Sequence, residues 1–278
     1  MKILRKFYSS VLLVACLAAG ASALPEGAAV THGNVQITTS GGTQTIVQGS
    51  DKAIINWNGF NIDIGELVQF IQPSSLSAIL NRVVGQDPSL ILGSLQANGQ
   101  VFLINPNGVV FGDSARVDVG SLVVSTLNIT DDNFLQGNLH FEQAADQDLA
   151  AVINHGTIKI DNNGFLVLTG PMVANEGVIL ARVGQVALAG GTKSTVSFDP
   201  TGMIQVELPK GSQSSEGIVS LTQDATSELL ANLVTAPGTQ AGQLVVRDGR
   251  TYLEVASGTV INTGEIKTDG IDHQAAGR

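Results

Sequence analysis

An all-β solenoid, a parallel β-helix of about 20 residues per coil, is the fold class this sequence specifies, and three features specify it. Gly and Asn punctuate the chain in small steps, with 32 Gly in 278 residues. Between them lie apolar runs of three to five residues, among them "VQI", "AII", "VFLI", "LVV", "TIKI", "FLVL", "GVIL", "QVAL" and "QLVV". Short β-branched runs between turn formers are strands, and no long helical periodicity interrupts them. The third feature is an internal repeat. "NHGTI" begins at Asn154 and "NEGVI" at Asn175; "GFLVLTG" begins at Gly164 and "GQVALAG" at Gly184; "NTGEI" at Asn262 echoes the first motif. One such unit cannot bury its apolar face alone and must stack on its neighbours. Asn tolerates left-handed backbone, and stacked Asn amides can hydrogen-bond along the axis, so the recurring Asn-Gly steps predict stacked corners. With strands about 4.8 Å apart, residues 24–278 in such coils make roughly 12 coils and a rod of about 60 Å.

The first element is a leader. Lys2, Arg5 and Lys6 form a basic start, Val11 to Ala19 is a short apolar run, and Ala21-Ser22-Ala23 is an A-x-A pattern. Together they predict a secretory signal over residues 1–23, cleaved between Ala23 and Leu24. The run is too short to span a bilayer. Leu13-Val14-Ala15-Cys16 also reads as a lipobox that would leave a lipid-anchored Cys16. Cys16 is the only cysteine, so the exported chain is held by its core without disulfides. That suits a chain which crosses a second membrane unfolded.

After the leader, residues 24 to 51 are expected to cap the first coil, because the end of a solenoid needs covering. Asp87-Pro88 has the form of an N-cap and first helical residue, with Gly99 as the stop, which predicts a short helix near 88–97. "LNITDDNFLQGNLHFEQAADQDLAA", from Leu127, predicts a small strand pair projecting from the rod. Trp57, Phe60, Phe70, Phe102 and Phe111 stand among apolar neighbours and are expected to pack in the core.

The charge of −10, more negative once the basic leader is removed, argues against nucleic acid and anionic lipid as partners and keeps the chain soluble. His32, His140, His155 and His273 are not spaced as metal ligands with another His, Cys or Glu. No nucleophile elbow, zinc-helix motif or P-loop occurs. Asp131-Asp132 reads as a solvated loop, because a calcium site needs more ligands than this. Asp51, Asp63, Asp113 and Asp118 are scattered, and Arg82 and Arg116 have no evident partners, so the clustered acids of a polysaccharide lyase are missing. The expectation is no enzyme, no metal and no cofactor. Asn105-Pro106-Asn107-Gly108, between "VFLI" and "VVF", is built for a β-turn: Asn bonds the backbone ahead, Pro presets φ, and Gly closes the turn. A corner between two core strands and a contact for a partner are both open at this point.

The block "AIINWNGFNIDIGELVQFIQPSSLSAILNRV" followed by "LGSLQANGQVFLINPNGVVFG" resembles the N-terminal secretion domain of two-partner-secretion exoproteins, such as filamentous haemagglutinin and the high-molecular-weight adhesins. The resemblance runs over residues 24–210, with residues 211–278 expected to continue the repeats. It implies a right-handed parallel β-helix with an N-terminal cap, and a role in export from a Gram-negative cell. It also implies a partner: the periplasmic POTRA modules of an outer-membrane β-barrel transporter, which threads the chain to the cell surface. Asn105, Pro106, Asn107 and Gly108 match the family's first signature. The second, Asn-Pro-Asn-Leu, is not reproduced; its nearest match is Asp87-Pro88-Ser89-Leu90. Family exoproteins usually continue far beyond 278 residues, so this reads as the leading part of a longer adhesin, a truncated gene or a small stand-alone member. A monomer is expected, and any host receptor or glycan lies outside what these residues name. Two other readings stay open: a surface binding module anchored through Cys16, and a β-helix enzyme acting on polysaccharide.

Overall fold

The computed structural model describes residues 23–145, 147–181, 184–198, 204–207, 216–220, 243–247, 250–256 and 259–268. Residues 1–22 with the expected leader and Cys16, and His273, lie outside them. The chain begins with β1 (Ala29–His32), β2 (Val35–Ser40), β3 (Thr43–Gln48) and β4 (Lys52–Trp57). β1 lies antiparallel on β4, and β2 and β3 form an antiparallel hairpin whose β3 pairs parallel with β5 (Leu67–Ile71). This is the expected cap: antiparallel strands close the end of a stack that is parallel from there on.

The coils follow through β6 (Ala78–Val83), β7 (Ser89–Ile91), β8 (Ser94–Ile104), β9 (Val109–Phe111) and β10 (Arg116–Ser125). An excursion holds α1 (Asp131–Gln136) and β11 (Leu139–Glu142). The coils resume with β12 (Ala151–Asn154), β13 (Thr157–Ile160), β14 (Phe165–Gly170), β15 (Met172–Asn175), β16 (Val178–Leu180) and β17 (Gln185–Gly190). A second excursion carries β18 (Lys193–Phe198), β19 (Ile204–Glu207), β20 (Glu216–Ser220), β21 (Gln243–Arg247) and β22 (Arg250–Ala256). β23 (Thr259–Asn262) and β24 (Glu265–Lys267) return to the stack.

Three parallel faces result. The first stacks Val68, Leu95, Val117, Ile158, Ile179 and Ile266 in register. The second stacks Ile54, Leu80, Phe102, Val123, Val167 and Ala187. The third runs through β7, β9, β12, β15 and β23. β8 and β10 each cross from the first face to the second in one strand. The corner between these faces holds Gly99, Gly120 and Gly164. A Cβ on Gly120 would sit 2.6 Å from the Gly99 carbonyl oxygen, so the coils approach too closely there for any side chain.

The coil number differs from the expectation: the solenoid has about six turns, not 12. The period itself holds, since Val167 pairs with Ala187 and Ala174 follows Ile153. The difference lies in residues spent outside the stack. β12 follows β9 in register although α1 and β11 lie between them, and β23 follows β15 across the second excursion. β20, β21 and β22 pair antiparallel with one another and not with the coils.

The helix expected near 88–97 is absent; β7 and the start of β8 occupy that stretch. Gly93 explains why: it is a corner residue held so close to the Asp63 and Glu66 carbonyls that a Cβ would collide with both. The projecting strand pair exists with different parts. β11 pairs antiparallel with β18, so the second strand arrives from beyond β17, and the residues before β11 form α1. Thr130 caps this helix by accepting from the Asn133 amide, and Gly137 ends it at φ +80°.

The excursion covers the second face. Its Phe134, Leu139 and Phe141 pack on Ile54, Leu80, Phe102, Val123 and Val167. Polar clamps fix it. Lys52 Nζ donates to the Phe134 and Leu135 carbonyls, where the helix dipole is negative. Arg82, without a partner in the sequence reading, donates to the Ile129 carbonyl at 2.6 Å and pairs with Asp131 at 2.7 Å. Arg116 donates to the Asp113 and Ala115 carbonyls. Trp57, Phe60, Phe70 and Phe111 pack inside the solenoid and Phe102 between the second face and the excursion, all at most 2% exposed. Trp57 Nε1 donates to Asn81 Oδ1 at 3.0 Å, and its ring meets Phe60 edge-on.

Candidate functional site

Asn105-Pro106-Asn107-Gly108 joins β8 to β9. Gly108 N donates to the Asn105 carbonyl at 3.1 Å, which closes the turn, and Gly108 takes φ +124°. Asn105 is fully buried. Its Oδ1 accepts from the Asn107 amide at 2.9 Å and from Asn107 Nδ2 at 3.1 Å. Its Nδ2 donates to the Asp87 carbonyl and the Ser89 hydroxyl, both at 3.0 Å. Asn105 N donates to the Ser125 carbonyl, which ties the turn to the next coil as well. Asn107 is partly exposed, and its Nδ2 donates to the Gly85 carbonyl at 2.9 Å.

The Asn105–Gly108 turn and the Asp87-Pro88-Ser89-Leu90 segment therefore lie on successive coils at one corner. Ser89 N donates to the Gly108 carbonyl at 2.9 Å, and Ser89 pairs with Val109 in register. One coil further toward the cap, Leu90 N donates to Asn61 Oδ1 at 2.8 Å. The sequence reading treated the two segments separately. Their offset of one coil period, Ser89 to Val109, was the available signal. Two clefts flank Pro88. One, of about 500 Å³, is lined by Pro88, Pro106, Asn107, Gln147 and Leu149. The other, of about 380 Å³, is lined by Ala23, Ile62, Asp63, Asp87, Leu90 and Leu92. Ala23 thus stands at the cap end of the same corner, and Leu24 is buried in the main core.

A second corner carries the Asn ladder. Asn154 Nδ2 donates to Asn175 Oδ1, and Asn175 Nδ2 donates to Asn262 Oδ1, both at 2.8 Å. His155 stacks beside Glu176 on the next coil, Nδ1 to Oε2 3.5 Å, with both side chains about nine-tenths buried. Asp131 and Asp132 sit in the first turn of α1. Among the described residues no group of three or more His, Cys, Asp or Glu could hold a metal ion, and no helix is long and apolar enough to cross a membrane. Two surface groups are shifted in their protonation. The hydrogen bond from Lys193 holds the Glu142 carboxyl below its ordinary value, and the hydrogen bond to Asp118 holds Lys159 above its own.

Comparison with known proteins agrees with this architecture. Residues 21–268 match the family model described as TPS secretion domain. A crystal structure of the HMW1 secretion domain from Haemophilus influenzae superposes with a TM-score of 0.61 at 41% identity, covering 66% of this chain and 48% of that one. Two heme/hemopexin-binding proteins of Haemophilus influenzae are similar. One is 35% identical over 188 residues, 65% of this chain and 20% of that protein; the other is 38% identical over 125 residues, 44% of this chain and 14% of that protein. The chain thus spans a fifth or less of the length of these relatives. The family is one of secretion domains of exoproteins and not an enzyme family. With the capped β-helix and a family match that runs over nearly its whole length, the chain belongs to the TPS, or two-partner-secretion, secretion-domain family.

Proposed function

We propose that this domain is the export address of a surface exoprotein. The POTRA modules of a cognate outer-membrane transporter engage it in the periplasm, and it folds into its β-helix once it reaches the cell surface. The observation that carries this reading is the family match over residues 21–268. Residues 1–23 act as the cleaved leader and residues 24–210 as the secretion domain, while residues 211–278 carry β20 to β22 of the second excursion and the return of β23 and β24 to the stack. The burial of Leu24 in the core supports cleavage before it rather than after it. The domain acts as a monomer and without catalysis; contact with a host receptor or glycan belongs to whatever passenger it exports.

Within this reading the signature turn serves export by making the cap coils fold. Asn105 is fully buried and hydrogen-bonds in three directions, to its own turn, to the coil before and to the coil after. In the folded domain the side chain is committed to its own turn and to the coil before, and the backbone amide to the coil after.

The test is a fusion of residues 1–278 ahead of a reporter, expressed with and without a POTRA-containing outer-membrane transporter of the two-partner-secretion type. Reporter reaching the surface or medium only with the transporter is the expected result. Equal release in its absence contradicts the assignment.

A further inference from the structure

We infer that the cap carries a receiving site for the α-ammonium that cleavage before Leu24 creates, with Glu66, held by the Asp63 amide, pairing with the new amino terminus beside a cleft lined by Asp63 and Asp87 and pinning Leu24 in the core. The inference rests on the leader-cleavage reading and adds a role to it. The uncleaved chain already shows the geometry. Ala23 N donates to Glu66 Oε1 at 3.2 Å, while Glu66 Oε2 accepts from the Asp63 amide at 2.9 Å. The carboxylate is thus oriented by its own loop and aimed at the backbone one residue from the expected cleavage point. Ala23 also lines the cleft of about 380 Å³ that contains Asp63 and Asp87 and no Lys, Arg or His.

Hydrolysis of the Ala23–Leu24 bond adds water, leaves the carboxylate on the departing Ala23 and an ammonium on Leu24. It removes a neutral amide donor from Glu66 and supplies a charged one with three N–H groups, which bonds a carboxylate more strongly. The ammonium cannot stray far. The Leu24 side chain is 8% exposed within the main core, and the next residue, Pro25, is held by Gln44 Nε2 at 2.9 Å to its carbonyl. Processing would then tighten the cap at the corner where Asp87-Pro88-Ser89-Leu90 stacks under the signature turn.

The experiment compares residues 24–278 with a free α-amine, released from a cleavable fusion, against the same protein acetylated at that amine alone. Acetylation should lower the melting temperature by about 2–4 °C in the wild type and leave Glu66→Gln unchanged. A chain begun earlier, at Ala21, should show the same loss as the acetylated protein, which keeps the comparison usable if Glu66→Gln folds poorly. No shift on acetylation, or an equal shift in Glu66→Gln, overturns the site. Sequencing the amino terminus of the exported protein is separate: a start other than Leu24 refutes the cleavage reading, while the acetylation result still decides whether Glu66 captures an amine.

Discussion

Asn105 and Ser89, sixteen residues apart in sequence, meet at one corner of the solenoid: Asn105 Nδ2 donates to the Ser89 hydroxyl at 3.0 Å. The bond joins the Asn-Pro-Asn-Gly turn to the Asp-Pro-Ser-Leu segment on the preceding coil.

Ser89→Ala removes that acceptor and leaves Asn105 Nδ2 with the Asp87 carbonyl as its remaining partner. The expected loss is about 1 kcal/mol, read as a lower midpoint in urea unfolding of residues 24–278.

Trp57 fills the core beneath the cap and is held at its indole by Asn81. Trp57→Ala should cost about 3–5 kcal/mol and abolish the cooperative thermal transition of the cap. Wild-type melting of this variant would refute the packing role.

The excursion hangs on Arg82 and Lys52. Arg82→Ala strips Asp131, Asn128 and the Ile129 carbonyl of their donor together. Hydrogen exchange should speed up across residues 127–142 and stay slow in β6, β8 and β10. Uniform acceleration through the coils would mean that the excursion is part of one cooperative unit with them.

The Asn ladder makes a further prediction. Asn175 both accepts from Asn154 and donates to Asn262. Asn175→Ala removes both bonds of the ladder and Asn262→Ala only the one made by the exposed Asn262, so Asn175→Ala should destabilise more, by about 1 kcal/mol for the additional bond. Equal effects at the two positions would show that the ladder carries no cooperative bonding.

The solenoid was legible because its physics repeats in sequence. The Asn154, Asn175 and Asn262 motifs predicted both the coil register and the amide ladder that the structure contains. The cap followed from the need to cover the end of a solenoid, and the aromatic core from the apolar neighbours of its rings. The helix at 88–97 failed because Asp87-Pro88 and Gly99 carry local signals that fit a helix end equally well. The competing cause was non-local: β7 gains its bonds from β9, and Gly93 turns a corner against Asp63 and Glu66. At α1 the opposite happened. Thr130, Asp131, Asp132 and Gly137 spelled a capped helix in plain local code, and the strand-rich surroundings obscured it. The clamps of Lys52 and Arg82 join segments 46 to 83 residues apart and left no trace in any local pattern.

At the candidate site, the turn itself was readable in Asn105 to Gly108; its stacking on Ser89, whose segment shares no motif with it, was signalled only by the one-coil offset from Ser89 to Val109. The claim at the centre of this account is that the corner serves export by holding the cap coils together. Asn105→Ala and Asn107→Ala, each measured for transporter-dependent secretion and for melting of the isolated domain, test it most directly. Secretion and melting temperature should fall together, more steeply for the buried Asn105 than for the partly exposed Asn107. Secretion that collapses while melting and circular dichroism keep their wild-type values would contradict it and make the turn a contact for the transporter.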